Sequence, residues 1–168
     1  MNRRKFLYAA SVCAGVGALG WRAARHAAAA QAQAPAVPYA VVHTDAEWRR
    51  LLSPAAYSVL RQGATEAPFT SPLLHEERPG TFDCAGCARP LYASATKYDS
   101  GTGWPSFWDH LPHAIDTAGD DSFGMRRTEV HCSRCGGHLG HVFHDGPRPT
   151  GLRYCMNGVA LAFTPKAA

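Results

Sequence analysis

Apolar positions near residue 50 follow helical spacing, and two capping sequences precede them. Thr44 and Glu47 have the spacing of a capping box, in which each side chain satisfies a backbone N–H group of the first turn. Ser53 precedes Pro54, which combines a capping hydroxyl with proline at the first helical position, and Gly63 is a typical stop. We therefore expect two short helices, whose apolar positions are Trp48, Leu51, Leu52, Val59 and Leu60.

From Thr65 onwards the pattern changes to short apolar or aromatic runs separated by proline and glycine. Such runs between turn residues are typical of short strands. The predicted strands are 81–83, 91–93, 125–130, 142–143 and 153–163. The sequence therefore predicts two small helices followed by a mainly β, mostly antiparallel domain.

The first 34 residues have the composition of an export signal rather than of a folded domain. Arg3 and Arg4 open an apolar, Ala/Gly-rich run to about Leu19, and Ala-x-Ala sequences end at Ala32 and Ala34. This pattern favours a twin-arginine signal peptide over residues 1–34, a linker over 35–43 and one domain over 44–165. The alternative is an uncleaved anchor, although the apolar run is short for a membrane span. The expected location is the periplasm of a bacterium, with only transient membrane contact.

Charge changes the interpretation once the leader is set aside. The chain has 17 basic and 13 acidic residues, and five of the basic ones lie in residues 1–34, where there is no acid. The remainder has 12 basic against 13 acidic residues. No basic stripe remains, so nucleic acid is excluded as a partner.

Four cysteines form two C-x-x-C sequences, each after a predicted strand: Cys84, Cys87, Cys132 and Cys135. Four thiolates at this spacing suit one structural zinc ion with no open coordination position. Two disulfides are the alternative in an oxidising compartment, and iron would fit the same geometry. The long gap between the pairs requires a whole substructure to be inserted between the two halves of the site.

Cys155 is the one cysteine after the leader without a partner at metal-binding spacing. In an extended segment Arg153, Cys155 and Asn157 point to one face, which would surround the thiol with polar and cationic groups. The alternative is an inert cysteine in a strand.

Two further segments carry candidate chemistry. Trp104 and Pro105 lie in the glycine-rich, aromatic run 101–108, which would form a stiff apolar wall or simply bury a core tryptophan. His138 and His141 follow the second cysteine pair closely and are candidates for proton transfer. The alternative is a pair of surface histidines without a role.

Together these motifs resemble the B-type methionine sulfoxide reductases over about residues 44–163. The matching stretches are 68–70, the two cysteine pairs, 97–101, 103–107, 138–143, 145–147 and 151–157. The resemblance implies two antiparallel sheets in a β-tent-like fold, one structural zinc ion remote from the active site, and reduction of methionine-R-sulfoxide in proteins or as the free amino acid.

The resemblance also implies roles for individual residues. Cys155 would be the nucleophile, His138 and His141 would bind and protonate the sulfoxide oxygen, and Trp104 would hold the substrate methyl group. Asp145 would support the histidine cluster, Arg153 would favour the thiolate, and Asn157 would be a polar neighbour of the nucleophile. A monomer is expected.

The sequence departs from the family pattern in two places. Thr102 stands where many members have a resolving cysteine, so we expect a one-cysteine cycle in which an external, thioredoxin-like thiol reduces Cys155. The run Gly63-Ala64-Thr65-Glu66 differs from the usual Gly-Thr-Glu. The rival functions are a non-enzymatic zinc-binding module, which would not need Cys155, and a zinc hydrolase, which would need an open metal position.

Overall fold

A computed structural model describes residues 39–167 of the 168-residue chain. The predicted signal peptide and most of the linker lie outside the described residues. Within residues 39–167, no helix has the length and apolar character that crossing a membrane requires.

The two predicted helices are confirmed as α1 (Asp45–Leu51) and α2 (Pro54–Gln62). The Glu47 carboxylate accepts from the Thr44 backbone N–H at 2.7 Å, and the Glu47 N–H donates to the Thr44 hydroxyl at 3.3 Å, which completes the capping box. The Ser53 hydroxyl caps α2, and Gly63 ends it with a φ of 67°, a left-handed conformation that favours glycine.

Two antiparallel sheets follow, which confirms the predicted fold class. The strands are β1 (Gly80–Cys84), β2 (Pro90–Ala93), β3 (Lys97–Tyr98), β4 (Ser106–Phe107), β5 (Ile115–Asp120), β6 (Arg127–Cys132), β7 (His138–Phe143), β8 (Arg153–Met156) and β9 (Leu161–Pro165). The three-stranded sheet has the order β2-β1-β9, and the six-stranded sheet has the order β3-β4-β8-β7-β6-β5.

The prediction of one continuous run over 153–163 is wrong. The run consists of β8, a 3₁₀ turn over Gly158–Ala160, and β9, and the two strands belong to different sheets. The chain leaves the larger sheet at Asn157, whose N–H donates to the Leu139 carbonyl at 2.8 Å. An apolar pattern that continues through this crossing cannot reveal it.

Strand β5 was not predicted from the sequence. It is one of the two edge strands of the larger sheet, and its residues, Ile-Asp-Thr-Ala-Gly-Asp, are mostly exposed. An edge strand with little buried surface needs few apolar residues, so alternation is absent there.

The core lies between the sheets and is mainly aromatic. Phe107 of β4 stacks on Tyr92 of β2 with ring centroids 4.3 Å apart, and the edge of one ring meets the other between Phe82 of β1 and Phe107 at 4.9 Å. The buried face of α2, which includes Val59 and Leu60, covers β7. These aromatic contacts therefore pack the smaller sheet against β4 of the larger sheet.

Truncation of Phe107 tests this arrangement. Phe107→Ala removes a fully buried ring and should lower the free energy of unfolding by about 3–5 kcal/mol. Leu51→Ala, at a position 60% exposed, is the control and should change it by less than about 0.5 kcal/mol. Denaturant unfolding measures both, and equal effects would contradict the proposed core.

Candidate active site and metal centre

Strand register brings the nucleophile candidate and one histidine together. Cys155 of β8 lies directly opposite His141 of β7, and on its other side it lies opposite Ser106 of β4. Directly opposite residues project from the same face of a sheet, with Cβ atoms about 4.5–5.5 Å apart. Tyr154 and Met156, the neighbours of Cys155 in the strand, are buried in the core on the other face.

A bulge in β7 brings the second histidine to the same face. Gly140 pairs with Val130 and His138 pairs with His131, so Leu139 is an extra residue in β7. This irregularity lets two histidines three positions apart share a face, and the rings of His138 and His141 are 5.5 Å apart. A Cβ atom at Gly140 would lie 2.1 Å from the Cys155 carbonyl oxygen, so the close approach of β7 to β8 requires glycine.

Each histidine has a carboxylate partner that the sequence reasoning missed. His138 Nδ1 lies 2.6 Å from Glu129 Oε1, and His141 Nε2 lies 2.8 Å from Asp120 Oδ2. Burial is the main cause that lowers the pKa of His141, and the Asp120 contact opposes it. Glu129 belongs to the predicted strand, but no sequence pattern linked it or Asp120 to the histidines.

Cys155 opens into a small cavity of about 120 Å³. The residues that line it are Thr65, Trp104, Arg127, Gly140, His141, Phe143, Cys155 and Asn157. The Trp104 indole N–H donates to the Glu66 carbonyl at 3.0 Å, which fixes the ring as one wall. A larger cavity of about 460 Å³, lined partly by Phe69 and Lys97, contains none of the predicted site residues.

His138 lies next to His141 but outside the lining of the Cys155 cavity. It is buried and is not among the residues that line the Cys155 cavity. Its Nε2 atom has no hydrogen-bond partner within the described part of the chain. A buried unpaired nitrogen costs free energy, and a substrate or water that reaches it would remove that cost.

Asp145 and Arg153 form an ion pair with each other. Asp145 does not contact either histidine. Its carboxylate accepts two hydrogen bonds from Arg153, each at 2.8 Å, and the guanidinium lies 4.3 Å above the Phe143 ring centroid. These bonds lower the pKa of Asp145 and are the main cause that raises the pKa of Arg153. Arg153 therefore pairs with Asp145 and also lies close enough to Cys155 to interact with it electrostatically.

Asn157 lines the cavity, and its side chain also forms hydrogen bonds to Leu139 and Glu66. Its side-chain amide donates to the Leu139 carbonyl at 3.0 Å, and its side-chain oxygen accepts from the Glu66 N–H at 2.8 Å. Glu66 in turn accepts from the Gly158 N–H at 2.6 Å. The departure at residues 63–66 is thus accommodated in a loop tied to the site, and Thr65 from this loop lines the cavity.

Thr102 lies beside the candidate nucleophile. Its hydroxyl is 3.8 Å from Cys155 Sγ and 2.8 Å from the Ser100 hydroxyl, which also contacts Ser106. Within residues 39–167, the other cysteines are the four of the C-x-x-C pairs. The described chain therefore offers Cys155 a neighbouring hydroxyl and no neighbouring thiol.

The four remaining cysteines form one cluster that fits a zinc ion. Cys84 and Cys87 lie at the turn after β1, and Cys132 and Cys135 at the turn after β6. All four sulfur atoms lie within 4.8 Å of one another, with Cys84–Cys135 at 3.7 Å and Cys87–Cys132 at 3.6 Å.

These sulfur–sulfur distances distinguish a metal site from two disulfides. Tetrahedral zinc with Zn–S bonds of about 2.3 Å places sulfur atoms about 3.8 Å apart, whereas a disulfide needs about 2.05 Å. The cluster therefore fits one structural zinc ion rather than two disulfides, and four thiolates leave no coordination position open for catalysis.

Sequence comparison identifies similar proteins over the same region. The SelR domain matches residues 52–165. Peptide methionine sulfoxide reductase MsrB from Leifsonia xyli is 52% identical over 130 residues, covering 76% of this chain and 94% of that protein.

Two further relatives show the range of the similarity. The MsrB protein from Bradyrhizobium diazoefficiens is 54% identical over 127 residues, covering 75% of this chain and 91% of that protein. The mitochondrial methionine-R-sulfoxide reductase B3 of Mus musculus is 48% identical over 126 residues, covering 74% of this chain and 50% of that protein.

Removal of the metal should unfold the protein, because a four-cysteine zinc site contributes on the order of 10 kcal/mol to folding. Cys132→Ser should lose zinc and the cooperative thermal transition, whereas Cys155→Ser should retain both. Metal analysis and thermal unfolding before and after chelation measure the effect. A cooperative transition at unchanged temperature after verified metal removal would refute it.

Proposed function

We propose that this chain, which belongs to the SelR family of peptide methionine sulfoxide reductases, reduces methionine-R-sulfoxide with Cys155 as nucleophile. The observation that supports this most strongly is the shared cavity of Cys155, His141 and Trp104. It combines a thiol, a proton-transfer group and an apolar wall within one small space. A non-enzymatic zinc module would not need this combination.

The chemistry requires one new bond to sulfur and a proton for oxygen. The Cys155 thiolate attacks the sulfoxide sulfur while Trp104 holds the methyl group. This attack forms a bond between Cys155 Sγ and the substrate sulfur, and the sulfoxide oxygen takes up one proton. The resulting hydroxyl is then transferred to Cys155 Sγ, so that both the S–O bond of the substrate and the new S–S bond break. The substrate sulfur gains the electron pair and leaves as the thioether of methionine, and Cys155 is oxidised to a sulfenic acid.

Proton delivery falls to the histidines. His141 is directly opposite Cys155, and His138 has a buried nitrogen without a partner in the described residues. Oxygen is a poor leaving group as a dianion, so a positioned proton donor lowers the barrier. The zinc cluster has no open position and takes no part in these steps.

The cycle closes through an external thiol. A first thiol condenses with the Cys155 sulfenic acid, releasing water and forming a mixed disulfide. A second thiol of the donor then releases Cys155 as a thiol and leaves the donor as a disulfide. The Thr102 hydroxyl cannot replace the first thiol, because it forms no disulfide. A thioredoxin-like dithiol supplies both equivalents.

The form of the leader supports an activity outside the cytoplasm. Residues 1–34 have the form of a twin-arginine signal, a route that exports proteins already folded, so zinc is loaded before export. The substrates are then oxidised methionines of exported proteins in the periplasm, and the thiol donor is one that operates there.

The assignment of Cys155 is tested by its isosteric serine variant. Cys155→Ser should lose reductase activity at least about 10³-fold, because the hydroxyl is a far weaker nucleophile than the thiolate. The wild-type protein should reduce the R epimer of a methionine sulfoxide peptide in preference to the S epimer. Product analysis by chiral chromatography measures both. Full activity of the variant, or preference for the S epimer, would overturn the assignment.

The one-cysteine cycle is tested by supplying the missing thiol. Because Thr102 Oγ1 is 3.8 Å from Cys155 Sγ, Thr102→Cys should form a 102–155 disulfide after one turnover with substrate. Peptide mapping and thiol titration detect it. Thr102→Cys combined with Cys155→Ser is the matched control and should form none. An internal disulfide at Cys155 in the oxidised wild-type protein would contradict the cycle.

A further inference from the structure

Asp120, Arg127 and His141 form a connected set beside the nucleophile. Asp120 pairs with Arg127 across β5 and β6, and Glu129, two residues further along β6, pairs with His141 across β6 and β7. Cys155 continues the same row in β8. Residues two apart in a strand share a face, so these side chains extend from the sheet edge to the nucleophile on one surface.

The Asp120 carboxylate is held from several sides. Its Oδ2 atom lies 2.8 Å from His141 Nε2 and accepts from Arg127 Nη2 at 2.6 Å. Its Oδ1 atom accepts from the Ser122 backbone N–H at 2.9 Å. The side chains of Asp120, Arg127 and His141 are 18%, 21% and 13% exposed, so this is not a mobile surface pair.

These contacts determine which nitrogen of His141 carries the proton. Hydrogen bonds from Ser122, followed by the contact with His141, hold the pKa of Asp120 well below its usual range, so the carboxylate is ionised and only accepts. His141 Nε2 must therefore donate. In the neutral ring the lone pair is then on Nδ1. His141 also lines the cavity that contains Cys155.

We propose that Asp120, itself fixed by Arg127, is a positioning residue that keeps His141 in the Nε2–H tautomer and leaves Nδ1 to carry the proton for the sulfoxide oxygen. Protonation of Nδ1 produces an imidazolium whose positive charge faces the Asp120 carboxylate. Arg127 opposes this charge, since it also faces the ring, but its hydrogen bond to Asp120 keeps the carboxylate in place. The activity part of this inference rests on the proposed function, whereas the tautomer does not.

The charged and titratable groups around His141 determine how its protonation depends on pH. The groups are Asp120 from β5, Arg127 and Glu129 from β6, His138 from β7 and Cys155 from β8. Removal of the Asp120 negative charge destabilises the imidazolium and lowers its pKa. The alkaline limb of the kcat profile should then move to lower pH.

Asp120→Asn is the decisive variant, because it keeps the shape and removes the charge. An amide can donate to Nε2 and favour the Nδ1–H tautomer. We expect kcat to fall by about 10- to 100-fold with little change in KM. This loss is smaller than the full contribution of a positioned proton donor, which is about 10²–10⁴-fold, because His141 itself remains. Asp120→Glu should retain the wild-type tautomer and recover part of kcat.

Asp121→Asn is the matched control, because Asp121 is adjacent in the chain but its side chain is 82% exposed and lies 3.7 Å from the exposed Arg126. It should leave kcat and the pH profile unchanged. Metal content and the thermal transition of each variant report on folding. An equal loss of kcat in both variants would contradict a specific role for Asp120.

The tautomer is measured directly by ¹⁵N NMR of the imidazole nitrogens in the zinc-loaded protein. The wild-type spectrum should show a protonated Nε2 and an unprotonated Nδ1 at His141, with the assignment reversed in Asp120→Asn. A wild-type Nδ1–H tautomer would overturn the inference even if Asp120→Asn failed to fold. Wild-type kcat and pH profile in a folded Asp120→Asn protein would also overturn it. If the wild-type protein had no reductase activity, the proposed function would fail, and the NMR spectrum would still decide the tautomer of His141.

Discussion

The four-thiolate cluster is the interaction on which the described structure depends, because its members come from both sheets. Cys84 and Cys87 follow β1 of the smaller sheet, whereas Cys132 and Cys135 connect β6 to β7 of the larger one. Zinc bound here would supply on the order of 10 kcal/mol, comparable to the whole stability of about 5–15 kcal/mol of an ordinary domain. The bound ion would also stabilise the turn from which β7 begins, and β7 carries both histidines. The four-cysteine cluster therefore contributes both to the stability of the fold and to the position of the two histidines.

Local sequence signals predicted the features that depend on neighbouring residues. The Thr44–Glu47 capping box and the Gly63 stop act within one or two turns of the chain, and both are found in the structure. The cysteine pairs were also recognisable, because metal coordination demands fixed ligand types at fixed spacing. By contrast, the pairing of Asp120 with His141 depends on register across β5, β6 and β7. Neither residue's immediate neighbours encode that register, so the contact could not be predicted.

The partner of Asp145 shows the same limit in another form. The resemblance placed Asp145 in support of the histidines, but the turn over 145–151 returns the chain so that Asp145 meets Arg153. The bulge at Leu139 was equally invisible, because strict alternation would separate His138 and His141 onto opposite faces. Where structure departs from a regular period, sequence pattern alone assigns the wrong neighbours. Sequence reasoning predicts which residues lie close together only where a tight turn or a motif of fixed spacing joins them.

Charge pairing gives the site a consistent electrostatic design. Two arginines lie close to Cys155, and each is paired with a carboxylate: Arg153 with Asp145, and Arg127 with Asp120. An unpaired guanidinium beside the histidines would disfavour their protonation, whereas a paired one contributes local dipoles at a smaller cost to the imidazolium. The carboxylates thus let cationic groups lie near the thiol while a histidine on the same face still accepts a proton. In the proposed reaction, nucleophilic attack and protonation of the oxygen require opposite local charges, and the two ion pairs allow this sheet face to provide both within one small cavity.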